Sequence, residues 1–266
     1  MLFKINNLNY EIDNHVFFKN FNLEVASGEY VSIIAPNGSG KTMLTKLMCA
    51  VIPTNDMFIL DDVSLNKENV LKYITKIGIV SNEFNNKCLC NKVKDELKLP
   101  LKNLGMCEYK INRKIREFGK KFEINNILNS NISDLSDSTK SKLLIIISLI
   151  HNPKLLVLDD AFNNMNIYDK NFMLSKLNEL NEHGLTIINI TSKLDTIYDS
   201  SKVIVMKDFK LDNTGTLDEI LKNESYLKKI GLEIPPIIEL SNNLKAYQLL
   251  DQTYFSTSEL EKKLWK

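Results

Sequence analysis

Lys41 and Thr42 close the stretch Ala35-Pro-Asn-Gly-Ser-Gly-Lys-Thr42, which matches the phosphate-binding spacing GxxxxGK[ST] at every position except the first. These residue types at this spacing perform one kind of chemistry. Backbone N–H groups from Asn37 through Gly38, Ser39 and Gly40 to Thr42 can wrap a phosphate, and a helix opening at Lys41 aims its positive N-terminus at it. Lys41 is expected to bridge the β- and γ-phosphates of a nucleoside triphosphate, with the Thr42 hydroxyl ligating Mg²⁺. The second half of such a site reads from Leu155-Leu-Val-Leu-Asp-Asp160, an apolar strand ending in two acids. Asp159 is expected to hold Mg²⁺ directly or through water, and Asp160 sits where a general base would polarise an attacking water. ATP and Mg²⁺ are the cofactors this pattern calls for.

The elements around these residues supply the positioning. Tyr30 to Ile34 is a short apolar run of the kind buried in parallel sheets, and Lys41 to Val51 reads as a helix stopped before Pro53. Leu2 to Leu8 and Phe17 to Val25 read as strands with a turn near Asp13 and Asn14. Further strands are expected at 77–80, 155–158, 186–191 and 203–207, and helices at 110–122, 143–150 and 169–182, the last closing at Gly184. Alternating strands and helices around a phosphate loop imply a parallel α/β core. Residues 85–150 read as an inserted helical subdomain, and after Gly215 short helices at 217–230 and 237–250 flank Pro235-Pro236. We therefore expect two units, 1–215 and a C-terminal extension over 216–266.

Composition narrows the class. A net charge of +1 gives no general attraction to nucleic acid or to an anionic membrane. No apolar run approaches the ~20 residues a membrane span needs, so any membrane link is expected to come through a partner. The four cysteines, Cys49, Cys88, Cys90 and Cys107, fit neither a zinc knuckle nor a redox CxxC and are expected to be reduced.

Asn37-Gly-Ser-Gly-Lys-Thr42, the helical insert and Pro153-Lys-Leu-Leu-Val-Leu-Asp-Asp160 together resemble an ABC-type ATPase domain. The fold class implied is α/β: a P-loop ABC ATPase core with an N-terminal antiparallel β subdomain, a helical subdomain and a small helical C-terminal extension. The resemblance places Tyr10 where an aromatic ring stacks on adenine. It also exposes departures. The Leu-Ser-Gly-Gly-Gln lid motif is here Leu135-Ser136-Asp137-Ser138-Thr139, which keeps Ser136 and loses both glycines. Asn82 stands for a glutamine that senses Mg²⁺ and the transmembrane partner, and Asp160 for a catalytic glutamate. Ser192 replaces a histidine that contacts the γ-phosphate, Asn166 an aspartate of the dimer-contact loop, and Met43 a threonine near the α-phosphate. Together these imply a kept nucleotide pocket with weakened hydrolysis.

Val93-Lys-Asp-Glu-Leu-Lys-Leu-Pro-Leu-Lys-Asn-Leu-Gly105 and the tail Ile230-Gly-Leu-Glu-Ile-Pro-Pro-Ile-Ile-Glu-Leu240 are similar to energy-coupling factor (ECF) transporter ATPases, whose tail opens a helical dimerisation domain. That resemblance implies a subunit of an importer of vitamins or metal ions, peripheral on the cytoplasmic face of the membrane. Its implied partners are a second ABC ATPase, an integral scaffold and a substrate-binding membrane subunit, with no nucleic acid. The competing expectation is a nucleotide-binding subunit without catalysis.

Overall fold

A computed structural model describes residues 1–54, 57–81, 88–255 and 257–265. The chain opens with a hairpin of β1 (Phe3–Ile12) and β2 (His15–Val25), turning at Asp13-Asn14 as the sequence suggests. β3 (Tyr30–Ile34) follows, then α1 (Lys41–Met48), which ends three residues before the expected Val51 because Ala50 turns left-handed with φ 59°. β4 (Phe58–Leu60) and β5 (Val63–Ser64) form a short hairpin across Asp61-Asp62, and α2 (Val70–Ile74) leads into β6 (Ile77–Ser81). None of β4, β5 and α2 is signalled strongly by periodicity, being too short to show it. The helical insert holds α3 (Val93–Asn103), α4 (Glu108–Lys121) and α5 (Asp137–Leu149). Then come β7 (Leu155–Asp159), α6 (Ile167–Glu182), β8 (Thr186–Thr191), β9 (Lys202–Lys207) and β10 (Lys210–Gly215). The tail contains α7 (Leu217–Leu221), α8 (Glu224–Lys229), α9 (Pro236–Ala246) and α10 (Thr257–Leu264). The helical run expected over 217–230 breaks because the Asn223 side chain accepts from Tyr226 N–H and starts a new helix.

Two sheets result. One is four-stranded in the order β2-β1-β4-β5; the other is six-stranded, β10-β9-β3-β8-β7-β6, with β9-β3-β8-β7-β6 parallel. The parallel strands are mostly apolar because both faces are covered, with Ser32 of β3 and Asn189 of β8 as buried polar exceptions. Along β7, Leu155 and Val157 join a core shared with the antiparallel sheet and α1, whereas Leu156 and Leu158 join one built with α3 to α6. A third cluster seats Leu217, Ile220, Leu227, Ile230 and Ile238 of the tail on Val203 and Val205 of β9. Burying each such side chain favours the fold by about 1.5–3 kcal/mol. This mixed α/β architecture, an antiparallel sheet beside a largely parallel one with a helical insert, is the one the resemblance implies.

Candidate functional site

Parallel pairing fixes the site. β3, β8, β7 and β6 run the same way, so their C-terminal ends share one edge, the usual ligand edge of an open α/β sheet. Register places Ile34 opposite Thr191, Ile190 opposite Asp159, and Asp159 opposite Ser81. The loop after β3 is therefore brought beside Asp159 at the end of β7, Asp160 just after it, and the end of β8.

That loop is tightly folded. Ala35 N–H donates to Thr191 O at 3.0 Å, and Gly38 and Gly40 take φ of 79° and 97°, a region costly for other residues. Gly40 immediately precedes α1, whose first-turn N–H groups face the loop. Lys41 is only 6% exposed and its ammonium donates to Ala35 O at 3.0 Å, Pro36 O at 3.1 Å and Asn37 Oδ1 at 3.4 Å. Burial lowers its pKa, opposed by the charges of Asp160 and Asp159. The Ala35 replacement of glycine brings no backbone strain: Ala35 is not among the residues with positive φ, and it is fully buried. Met43 packs against the first core cluster and brings no hydroxyl to the loop.

Asp159 is 2% exposed. Ser81 Oγ donates to its Oδ2 at 3.0 Å, while Oδ1 is buried with no hydrogen-bond partner. Desolvation pushes its pKa up to about 6; the Ser81 and Thr42 hydroxyls and Lys41 pull down, and Asp160 pushes up. A buried carboxylate oxygen lacking a donor, beside two hydroxyls, is an all-oxygen set that suits Mg²⁺. This cation is commonly held by one or two carboxylates together with substrate phosphates. No group of three or more His, Cys, Asp or Glu side chains that could hold a metal ion occurs among the described residues.

Asp160 adopts φ 48°, and its Oδ1 accepts from Thr191 Oγ1 at 3.0 Å and from Ser192 N–H at 3.2 Å. Ser192 is thus brought next to Asp160, but through its backbone. Tyr10 is half-buried, with its ring 6.3 Å from that of Phe17. Asn82 lies outside the described residues. Sequence reasoning missed two contributors, Ser81 and Thr191, both final residues of strands neighbouring Asp159; an expected parallel register was the signal that could have found them.

The lid segment is occupied by its own side chains. Ser136 caps α5, its Oγ accepting from Thr139 N–H at 3.2 Å and meeting Thr139 Oγ1 at 2.9 Å. Ser138, standing where the resemblance has glycine, is buried; it donates to Asp169 Oδ2 at 2.5 Å and accepts from Asn166 N–H at 3.0 Å. Asn166 caps α6 by accepting from Asp169 N–H at 2.9 Å. Asp137 is exposed, 3.9 Å from Lys140.

The model of the ABC transporter family matches residues 18–163, more than half of the chain, and the chain belongs to that family. An energy-coupling factor transporter ATP-binding protein of Clostridioides difficile (strain 630) is 29% identical over 248 residues, covering 91% of this chain and 90% of that protein. An ABC transporter ATP-binding protein of Caldanaerobacter subterraneus subsp. tengcongensis is 27% identical over 241 residues, 90% of this chain, which spans only 41% of that relative's length. The structure of cbiO1 from Clostridium perfringens, described as part of an ABC transporter complex, superposes with a TM-score of 0.76 at 23% identity, covering 91% of this chain and 98% of that one. That structural likeness establishes the fold.

Proposed function

We propose that this chain is the ATP-binding subunit of an ECF-type ABC importer, coupling ATP binding and slow hydrolysis to uptake of a vitamin or metal ion. The observation that carries the reading is the phosphate loop with Lys41 folded onto its carbonyls beside an unpartnered Asp159 oxygen. On arrival of Mg-ATP, Lys41 exchanges the carbonyls of Ala35 and Pro36 for β- and γ-phosphate oxygens, and the amides from Asn37 to Thr42 wrap the phosphates. Thr42 and Asp159 would hold Mg²⁺, with Asn82 and Ser81 as further oxygen donors. When bound, that ion offsets charge on the phosphate oxygens. Tyr10 stacks on the adenine, and Met43 lines the loop's first helical turn. Asp160 accepts the proton of the attacking water while Thr191 and Ser192 fix its orientation. The site of a partner ATPase receives this chain's altered lid around Ser136.

The division at residue 215 fits this reading: 1–215 is the nucleotide-binding domain, with its helical subdomain over about 85–150, and 216–266 the dimerisation extension. The partners are a second ABC ATPase, an integral scaffold and a substrate-binding membrane subunit, with this chain peripheral on the cytoplasmic face. Among the described residues no helix is long and apolar enough to cross a membrane. The test is phosphate release by the complex purified with its membrane partners. Asp160→Asn should reduce it by about 100-fold or more, the scale of a lost general base; undiminished turnover contradicts the assignment of Asp160.

A second reading, a nucleotide-gated subunit without catalysis, draws on two observations. Asp160 Oδ1 is already engaged by Thr191 and Ser192, and Ser138 is turned into the protein. ATP binding by the complex with no phosphate release that depends on Lys41 of this chain would favour it.

A further inference from the structure

The tip of the β9–β10 hairpin touches the phosphate loop. Lys207 pairs with Lys210, leaving a two-residue turn at Asp208 and Phe209 with φ of 47° and 62°. Both central residues of such a turn need positive φ, which glycine or asparagine adopts without strain and a bulky aromatic residue does not. Phe209 nonetheless occupies the second position. A strained residue is retained where its surroundings over-determine it, so its contacts identify the constraint.

Those contacts converge on Gly40. Phe209 N–H donates to Ser39 O at 3.2 Å. Its ring lies so close to Gly40 that a Cβ there would stand 2.3 Å from Phe209 Cδ1 and 2.7 Å from Cε1. The same ring sits edge-on to Phe17 at 5.2 Å and to Phe18 at 5.7 Å between centroids, at 89° in both cases. Phe17 in turn meets Tyr10. One aromatic group therefore bears on the loop's left-handed glycine, whose N–H neighbours those of Lys41 and Thr42, and is itself braced by two rings of β2.

We infer that Phe209 is a positioning residue for phosphate binding: seated on Gly40, it holds the turn whose backbone amides face the phosphates. The inference rests on the reading of this loop as a nucleoside triphosphate site. Because Phe209 acts through the loop, its effect falls on the phosphate chain and not on the base.

The full chain is titrated calorimetrically with Mg-ATP and, separately, with magnesium and inorganic tripolyphosphate, a ligand that has the phosphates and no base. Phe209→Gly, which relieves the turn and removes the ring, is expected to weaken both ligands by a similar factor, about tenfold. Phe209→Tyr, which keeps the ring, is expected to stay within about twofold of the parent protein. Unchanged tripolyphosphate affinity in Phe209→Gly, or a loss confined to ATP, overturns the inference. If Phe209→Gly shows no cooperative melt, Phe209→Leu replaces it: a weakened affinity for both ligands supports the inference, and parent-like affinity overturns it. Failure of the unsubstituted chain to bind either ligand, or equal binding after Lys41→Ala, refutes the nucleotide-site reading itself and is distinguishable from an effect limited to Phe209.

Discussion

The phosphate loop and the lid segment are both helix N-termini, and they are built for opposite ends. At α1 no side chain caps the helix, and Gly38 and Gly40 keep the backbone open, so the first-turn amides are left for a ligand. At α5 the corresponding amides are addressed from within: Ser136 caps the helix, and Asp137 adds negative charge where an anion would have to approach. Ser138 ties that helix to Asn166 and Asp169 at the start of α6. One terminus is left uncapped, and the other is an internal joint between two helices. Under the proposed function, the same chain would bind nucleotide while offering little to the γ-phosphate of a partner.

The largest effect expected from breaking this contrast is at Lys41. Lys41→Ala removes a buried cation that would make charge-assisted bonds to phosphate, and ATP affinity measured by calorimetry should fall by about 100-fold or more. Asp159 comes next, with the opposite sign for stability. Its native pKa of about 6 lies above the ordinary aspartate value of about 3.9. The native state thus holds the proton more tightly, and stability declines as pH rises from about 4 through about 6, the cost being fully present above that. Asp159→Asn should stabilise the nucleotide-free protein at pH 7.5 by ~1–3 kcal/mol, with a smaller gain near pH 4, as read from denaturant melts at both pH values. It should also abolish the magnesium dependence of ATP binding.

Ser138→Gly restores the lid glycine and probes the other terminus. Losing the bonds to Asp169 and Asn166, together with the glycine penalty inside a helix, should cost ~1–3 kcal/mol of stability, while ATP affinity of the isolated chain stays within about twofold. Thermal melts and calorimetry on one sample check both halves of that expectation. The smallest change is Ser136→Ala, which removes a cap and should lower stability by ~0.5–1 kcal/mol.

The sequence shows the first terminus far more clearly than the second. The strand 30–34, the loop and Lys41 stand at a spacing that only one local geometry satisfies, and the apolar runs at 155–159 and 186–191 announce buried parallel strands. The lid could be read as a departure from a motif, but not as a joint. Ser138 lies 28 residues from Asn166 and 31 from Asp169, and nothing local links them. The same limit hid the anchoring of Asp160 by Thr191 and the approach of Phe209 to Gly40, since both contacts depend on strands brought together by the sheet. Short β4, β5 and α2 were missed for a different reason, having too few residues to display a period.

The most direct test of a competent phosphate loop beside a closed lid is to measure ATP binding and phosphate release on the same preparation of the full chain, with Lys41→Ala alongside. The account predicts one Mg-ATP per chain, lost with Lys41→Ala, and turnover far below the ~1 s⁻¹ lower range typical of enzymes. Turnover within that range by this chain alone, or no binding at all, would contradict it.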